Sequence, residues 1–340
     1  MISGLNVPST GRGGDGHDTE MQLDRVRSNA AELFGFGHPQ RVIFTPGLTY
    51  AINQVLHGCI KTGDTVLTSR LEHNAVVRPL ETLRQQGVNI LEADFDQTGM
   101  LRLDQFERLL KENPVDWVVL TMASNVLGTI QPLAAASQLA QQHGAKVICD
   151  LAQTAGLVPI ELDAWGISAA AVPGHKGLHG PRGIGLLLLA PGIEPQPLVQ
   201  GGTGSSGHDR EMPPDLPIRL EAGTQNYPGM LGLGAALRYL RKNPPLLGNG
   251  RKLMSELDAW LRALPATEVY PKQCPGWEHR LPLVSFNFEG VPNDIVCSYL
   301  QSRGLNLRGG LLCAGPSCAD IGADQGVVRL SPPLDASAEE

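Results

Sequence analysis

The chain has 340 residues, and its 27 lysines and arginines against 34 aspartates and glutamates give a formal net charge of −7. This acidic balance argues against a nucleic-acid-binding protein, which usually presents a basic face. The longest apolar run covers residues 184–190, and crossing a bilayer takes about 20 apolar residues, so we expect no transmembrane helix. The N-terminus shows no signal peptide, and the six cysteines are scattered without a CxxC pair. Both observations favour a reduced, cytoplasmic setting without disulfides or a metal site.

Short apolar runs alternate with amphipathic stretches over the first 240 residues. Apolar side chains spaced along one helical face predict a first helix over residues 19–36. Buried strands are predicted, in chain order, over residues 41–45, 64–68, 89–92, 117–121, 146–150, 169–172 and 185–189. Further helices are predicted over residues 50–56, 76–86, 133–143 and 229–242. This alternation is typical of an α/β domain with a mainly parallel sheet, in which the last two strands can form a hairpin-like return.

The pattern changes beyond residue 240. An amphipathic helix is predicted over residues 249–263 and another over 295–303, with strands over 283–288 and 327–331. Mixed helices and strands without regular alternation indicate a smaller α+β domain. We therefore expect a large domain over residues 1–240 and a small C-terminal domain over residues 241–340.

An aspartate and a lysine stand at the ends of two neighbouring predicted strands. Asp150 ends the strand 146–150, and Lys176 lies in a glycine-flanked turn after the strand 169–172. The carboxyl ends of such strands face the crevice in which α/β folds bind ligands. A lysine that forms a Schiff base and an aspartate that pairs with a pyridinium nitrogen are what pyridoxal phosphate requires. The competing interpretation is a surface lysine and a helix-capping aspartate.

Further polar groups follow other predicted strands. Residues 44–49 form a strand, a turn and a helix start, whose free N–H groups and Thr49 hydroxyl suit a phosphate. Thr49 can equally be a plain helix cap. His73 could stack on an aromatic ring, and Asn125 follows the strand 117–121. Four strand ends that each bring a polar group to one edge favour a ligand site over packing.

Eight stretches together carry a family resemblance. They are RVIFTPGLTYAIN (41–53), EHNAVVRPL (72–80), SNVLGTIQPL (124–133), CDLAQTAG (149–156), GHKGLHGPRGIG (174–185), RLEAGTQN (219–226), RGGLLCA (308–314) and GVVRLSP (326–332). With them the sequence resembles the cysteine desulfurase and selenocysteine lyase branch of the class V aminotransferases. The resemblance implies a fold type I transferase that uses pyridoxal phosphate, with a mainly parallel seven-stranded sheet in the large domain and the cysteine loop in the small domain.

The resemblance also implies roles for the residues that would hold the cofactor. Lys176 would carry it as a Schiff base, Asp150 would pair with the ring nitrogen, and Gln153 would bond the phenolic oxygen. His73 would stack on the ring and assist proton transfer. The phosphate would be cradled by Gly47, Leu48, Thr49 and His175. Thr224 would reach the phosphate of a neighbouring subunit, which implies a homodimer.

The same resemblance implies how substrate would be bound and converted. Asn125 and Arg329 would hold the substrate carboxylate, with Arg308 nearby, because a guanidinium binds a carboxylate through two parallel hydrogen bonds. Cys313 would attack the sulfur of L-cysteine, or the selenium of selenocysteine, and leave L-alanine. Arg308 is a candidate to stabilise the thiolate of Cys313. The sulfur would then pass to an acceptor or scaffold protein.

Three departures from the family pattern leave other functions open. Relatives usually begin with a pocket-lining segment resembling L-D-N-A-A-T, and this chain starts near the later GRG-x-H loop, which suggests a misplaced gene start, a truncated chain or the loss of part of the pocket. Pro173 replaces a phosphate-binding serine or threonine, and residues 315–319 differ from the usual text after the cysteine. A class V aminotransferase or epimerase in which Cys313 is a bystander, and a catalytically degenerate scaffold, are the alternative interpretations.

Overall fold

The computed structural model describes residues 14–204, 210–245 and 247–332, with the backbone alone for 14–18. Within these ranges the α-helices are α1 (Gly14–Leu33), α2 (Leu48–Cys59), α3 (Asn74–Gln85), α4 (Leu103–Glu112), α5 (Leu133–Gln142), α6 (Tyr227–Lys242), α7 (Leu247–Ala263), α8 (Asn293–Gln301) and α9 (Gly315–Asp320). None of these helices combines the length and the apolar character that crossing a membrane requires.

Eleven strands lie in the described ranges. They are β1 (Val42–Thr45), β2 (Thr65–Ser69), β3 (Asn89–Ala93), β4 (Trp117–Thr121), β5 (Lys146–Asp150), β6 (Ala169–Pro173), β7 (Gly185–Leu189), β8 (Thr267–Tyr270), β9 (Val284–Phe288), β10 (Arg308–Gly310) and β11 (Val327–Leu330). The first seven form one sheet in the order β1-β7-β6-β5-β4-β2-β3, and the last four form a second sheet in the order β10-β11-β9-β8.

The seven-stranded sheet is mainly parallel, as predicted. β2 runs parallel to β3 and β4, and β5 runs parallel to β6. β7 is antiparallel to both β6 and β1, which confirms the hairpin-like return after β6. Every residue of β1, β2, β4, β6 and β7 is buried. Continuous apolar strands of this kind are typical of a sheet covered on both faces, where alternation is lost.

The chain divides into two compact units, each made of two chain segments. The first unit comprises Met1–Lys61 and Val147–Pro244, and the second comprises Thr62–Lys146 and Pro245–Glu340. The predicted division of the chain into domains at residue 240 stays a prediction.

A buried ion pair organises the first unit. Arg27 of α1 donates from Nη1 and Nη2 to the Glu221 carboxylate at 2.9 and 2.8 Å, and both side chains are less than a tenth exposed. Glu221 Oε1 also accepts the main-chain N–H of Phe44 at 2.6 Å. A buried charge pair is tolerated only when its remaining atoms are hydrogen bonded, as they are here. The pair thereby fixes the segment after residue 220 beside β1.

A fully buried arginine organises the second unit. Arg280 is 0% exposed and pairs with Asp258 at 3.2 Å, while its guanidinium lies 4.3 Å from the Trp277 ring centroid. Its Nη2 donates to the carbonyl of Leu127 at 3.3 Å and to that of Leu283 at 3.1 Å. Removing one partner from such a network would leave a buried charge uncompensated. Arg280 thus holds the turn after β4 against the segment that enters β9.

Candidate active site

Asp150 ends β5 as a buried carboxylate with one unsatisfied oxygen. It is 1% exposed, and its Oδ1 accepts the N–H of Ala152 at 2.7 Å. Its Oδ2 is buried and has no hydrogen-bond partner among the described residues. Burial raises the pKa of Asp150 to about 6, although the Ala152 N–H and the charge of Lys176 act to lower the pKa. An unsatisfied buried acceptor is costly, so Oδ2 is suited to a donor that the protein itself does not supply.

The turn after β5 contains a second unsatisfied polar atom, which the sequence analysis did not predict. Thr154 is 0% exposed, and its Oγ1 has no partner among the described residues. Its predecessor Gln153 is half-buried. A threonine within the DLAQT stretch was the only available signal, and a hydroxyl near Asp150 has no sequence pattern of its own. Two orphan polar atoms in one turn are typical of a binding site rather than of packing.

Lys176 lies in the turn between β6 and β7, which packs against the turn after β5. A Cβ on Gly156 would lie 2.5 Å from the carbonyl oxygen of Gly177, and a Cβ on Gly177 would lie 2.4 Å from that of Ala155. Only glycine permits this approach, which brings Lys176 near enough to Asp150 for its charge to act on the carboxylate. The charges of Lys176 and Arg182 add to burial in lowering the pKa of the adjacent His175.

The start of α2 forms an open cradle of main-chain groups. Gly47 precedes the helix with φ = 153°, which residues with side chains rarely adopt, and no side chain in the described part of the chain caps the helix. No heavy atom of the described residues lies within 4 Å of where a Gly47 Cβ would stand. Leu48 is buried, whereas Thr49 is exposed in the first turn. Uncapped N–H groups and the helix dipole suit an anion such as a phosphate.

Thr224 follows the Glu221 anchor in the first unit. It is exposed and lines a cavity of about 280 Å³ together with Thr45 and Tyr50. Glu221 lines the same cavity and is tied to Arg27 and to β1. The cavity therefore brings Thr224 near the carboxyl end of β1 and the first turn of α2.

His73 caps α3 in the second unit. Its Nδ1 accepts the N–H of Ala75 at 3.0 Å, so the proton of the neutral ring resides on Nε2. Asn74, the first residue of α3, donates its main-chain N–H to the carbonyl of Cys313 at 2.8 Å. The imidazole and the predicted nucleophile are therefore joined through one main-chain hydrogen bond.

Cys313 lies exposed between β10 and α9, in the left-handed region at φ = 58°. The neighbouring Cys318 is buried, and its burial raises the pKa of that thiol to about 11. Thiolates, not thiols, are the nucleophiles, so burial and the raised pKa disfavour Cys318 as a nucleophile. Exposure thus distinguishes Cys313 as the reactive candidate of the two.

Two arginines face each other across β10 and β11. Arg308 pairs with Arg329 in the antiparallel register, and like charges in directly opposed positions repel. Arg329 donates from Nη1 to the carbonyl of Asn125 at 2.7 Å, while its buried Nε has no partner among the described residues. Burial and the charge of Arg308 lower the pKa of Arg329. An anion bound here would satisfy Nε and relieve the repulsion.

Comparisons with known proteins agree with this geometry. The family model described as aminotransferase class-V matches residues 7–340. The chain belongs to the class V aminotransferase family. Among its relatives is a probable cysteine desulfurase of Methanothermobacter thermautotrophicus, 30% identical over 341 residues that cover 95% of this chain and 82% of that protein. A cysteine desulfurase of Klebsiella pneumoniae is 32% identical over 319 residues, covering 88% of this chain and 75% of that protein.

Solved structures show the same relationship. The apo structure of a cysteine desulfurase from Thermococcus onnurineus has a TM-score of 0.89 at 26% identity and covers 98% of this chain and 85% of that one. A cysteine desulfurase of Escherichia coli has a TM-score of 0.85 at 26% identity and covers 99% of this chain and 86% of that one. These class V relatives confirm the predicted fold type I architecture and the prediction of a pyridoxal-phosphate enzyme of the cysteine desulfurase type.

The first unit of this class V chain fits the cofactor of its family. The unpartnered Asp150 Oδ2 is placed to accept a protonated ring nitrogen, and the open start of α2 can take a phosphate. Lys176 supplies the primary amine in the adjoining turn. Pro173, at the end of β6, is buried and lacks a hydroxyl, so the phosphate would be held without that group. The roles of the individual residues remain predictions.

Proposed function

We propose that the protein removes sulfur from L-cysteine, releasing L-alanine and retaining the sulfur as a persulfide on Cys313. The observation that carries the proposal is the opposed pair Arg308 and Arg329. The buried Nε of Arg329 has no partner among the described residues, and a small anion bound there would satisfy it. Arg329 also binds Asn125, whose side chain binds the loop of Cys313. A carboxylate held by Arg329 would therefore lie on the element that supports the nucleophile.

The first unit would hold pyridoxal phosphate. Lys176 would bind it covalently and later move the α-proton of the substrate, while Asp150 would keep the ring nitrogen protonated. Gly47, Leu48, Thr49 and His175 would hold the phosphate, and Gln153 the phenolic oxygen. The bound cofactor supplies an electron sink for the α-carbon of an amino acid.

The second unit would carry out the sulfur transfer. The thiolate of Cys313 attacks the substrate Sγ, a sulfur–sulfur bond forms, and the carbon–sulfur bond breaks. The electron pair of the broken bond stays with the substrate β-carbon, which takes up a proton and becomes the methyl group of alanine. One L-cysteine and one protein thiol thus give one L-alanine and one persulfide. His73, whose Nε2 carries the proton of its neutral ring, would assist proton transfer.

Three finer features belong to the same proposal. Selenocysteine would react by the same displacement. Thr224 would contact the phosphate of a second copy of the chain, which requires a homodimer. The exposed Cys313 would pass its persulfide to the thiol of an acceptor protein.

The decisive experiment measures alanine released from L-cysteine. The purified protein is saturated with pyridoxal phosphate and supplied with a thiol reductant. We expect alanine from the parent and from Cys274→Ala, which removes another exposed cysteine. We expect none from Lys176→Ala, and a loss to background from Cys313→Ala because no persulfide can form.

Two outcomes would contradict the proposal. A Cys313→Ala protein that makes alanine at the full rate excludes the thiol as nucleophile. A parent protein that makes no alanine but transfers its amino group to a keto acid is an aminotransferase in which Cys313 is a bystander.

A further inference from the structure

Two consecutive residues of the cysteine loop have left-handed backbone. Leu312 has φ = 51° and Cys313 has φ = 58°, whereas the other non-glycine residues with positive φ in the described ranges, His179 and Ala266, are isolated. Left-handed backbone is unfavourable for residues with a Cβ and persists only where the surroundings impose it. The loop must therefore be held by specific contacts.

Hydrogen bonds to the two neighbouring carbonyls supply these contacts. The carbonyl of Cys313 accepts the main-chain N–H of Asn74 at 2.8 Å. The carbonyl of Leu312 accepts Nδ2 of Asn125 at 2.8 Å. The first bond comes from the main chain and is kept by every substitution at residue 74 except proline, whereas the second is lost when the side chain of residue 125 is changed.

The donor Asn125 is itself fixed in place. It is 6% exposed, and its main-chain carbonyl accepts Nη1 of Arg329 at 2.7 Å. The next two carbonyls, of Val126 and Leu127, accept the Ser285 hydroxyl and the buried Arg280 guanidinium. Three successive carbonyls bonded to buried or half-buried side chains leave the turn little freedom. Asn125 is therefore a rigid support rather than an adaptable surface contact.

We propose that Asn125 is a positioning residue for Cys313, which holds the loop in its left-handed form before substrate arrives. The inference rests on the proposed function. The family resemblance assigns Asn125 only to the binding of the substrate carboxylate. The side-chain amide has two N–H groups, so one can hold Leu312 while the other faces the substrate. Because Arg329 bonds the same residue, carboxylate binding and loop position are coupled through Asn125.

The test compares Asn125→Ala and Asn125→Asp with the matched variant Asn113→Ala. Asn113 makes the same kind of bond, from Nδ2 to the Leu109 carbonyl at 2.9 Å, at the end of α4. Hydrogen exchange of residues 310–316 is measured without substrate, and kcat and KM for L-cysteine are measured with cofactor. We expect exchange in the loop to rise about tenfold in both Asn125 variants at pH 8 and to stay unchanged in Asn113→Ala. We also expect kcat to fall about tenfold or more.

The aspartate variant adds a readout that general destabilisation would not change. An ionised carboxylate cannot donate to the Leu312 carbonyl, whereas a protonated one can. The exchange rate of Asn125→Asp relative to the parent is therefore expected to fall toward one as the pH is lowered from 8 through about 4, the ordinary pKa of an aspartate. The ratio for Asn125→Ala is expected to stay constant.

The outcomes separate this inference from the proposed function. Unchanged loop exchange in both Asn125 variants, with a raised KM alone, would reduce Asn125 to a carboxylate ligand and overturn the inference. A pH-independent ratio for Asn125→Asp would also overturn it. A parent that releases no alanine contradicts the proposed function, while the exchange comparison still decides the role of Asn125.

Discussion

The candidate site residues of the two compact units differ in how far their polar atoms are hydrogen bonded. In the first unit, Asp150 and Thr154 each bury a polar atom without a partner among the described residues, beside turns that glycine allows to pack closely together. In the second unit, two hydrogen bonds hold the loop of Cys313, and the residues that donate these bonds are hydrogen bonded in turn. The polar atoms of the first arrangement require a ligand as hydrogen-bond partner, whereas most of those in the second arrangement already have a partner.

This difference suggests a division of labour. A group that is always present, such as a cofactor, can supply hydrogen bonds to buried polar atoms whose lack of a partner would otherwise cost stability. A substrate that comes and goes is better served by a preorganised site, which requires no rearrangement during the reaction. Among the candidate substrate-binding residues of the second unit, the exception is Arg329, whose Nε would be satisfied by the proposed substrate. Substitutions in each unit should therefore affect different quantities.

The largest expected effect is on substrate binding in the second unit. Arg329→Ala should raise KM for L-cysteine about 10- to 100-fold, because a charge-assisted hydrogen bond contributes about 1.5–3 kcal/mol. Arg308→Ala serves as the matched control, since Arg308 is exposed and its effect should be several-fold smaller. The measurement is alanine release at varied L-cysteine. Equal effects of the two substitutions would show that the combined positive charge of the two arginines, rather than hydrogen bonds from Arg329, binds the substrate carboxylate.

The next effect is on stability in the first unit. The folded state raises the pKa of Asp150 to about 6, so the folded chain holds this proton more tightly than the unfolded chain does. The carboxyl therefore favours folding fully below about pH 4, and this contribution is lost as the pH rises through 6. Without cofactor, Asp150→Asn should exceed the parent in stability by about 3 kcal/mol at pH 8, with little difference at pH 4.

Urea unfolding of the cofactor-free proteins at the two pH values measures this difference. Asp163→Asn is the control in the same unit, because the Asp163 carboxylate is exposed and accepts the N–H of Gly37 at 2.7 Å. A stability gap between Asp150→Asn and the parent that is the same at pH 4 and pH 8 would contradict the account of an uncompensated buried carboxylate.

The sequence predicted the regular parts of the fold because their periodicity is strong. The predicted strands of the large sheet agree with β1–β7 within a residue at each end, and α5 and α6 agree within two. Short elements were not assigned: β8, β10 and α9 have three to six residues, and β10 is Arg-Gly-Gly. The hydrogen bonds of β8 and β10 come from other strands, such as β11 for β10, which no local pattern reveals.

The residues of the candidate site could be predicted from the sequence, but the contacts between distant residues could not. Strand ends indicated Asp150 and Lys176, since each stands where a local pattern stops, whereas Cys313 was indicated by the family resemblance of its loop. The bond from Asn125 to Leu312 joins residues 187 positions apart. No sequence pattern predicts the buried Thr154 hydroxyl, because its lack of a partner among the described residues depends on the packing of several elements. Such features follow from tertiary structure alone.

The smallest expected effect concerns cofactor affinity and tests how complete the first unit is. Pro173 ends β6 opposite Gly185, where the family pattern has a hydroxyl residue that binds phosphate. Pro173→Ser should lower the dissociation constant for pyridoxal phosphate up to about tenfold, because one hydrogen bond to a charged group is gained. Pro173→Ala is the matched control, since it removes the ring without adding a hydroxyl. Absorbance titration of the cofactor-free proteins measures both constants. If Pro173→Ala tightens binding as much as Pro173→Ser, the missing hydroxyl is irrelevant and the start of α2 with His175 already saturates the phosphate.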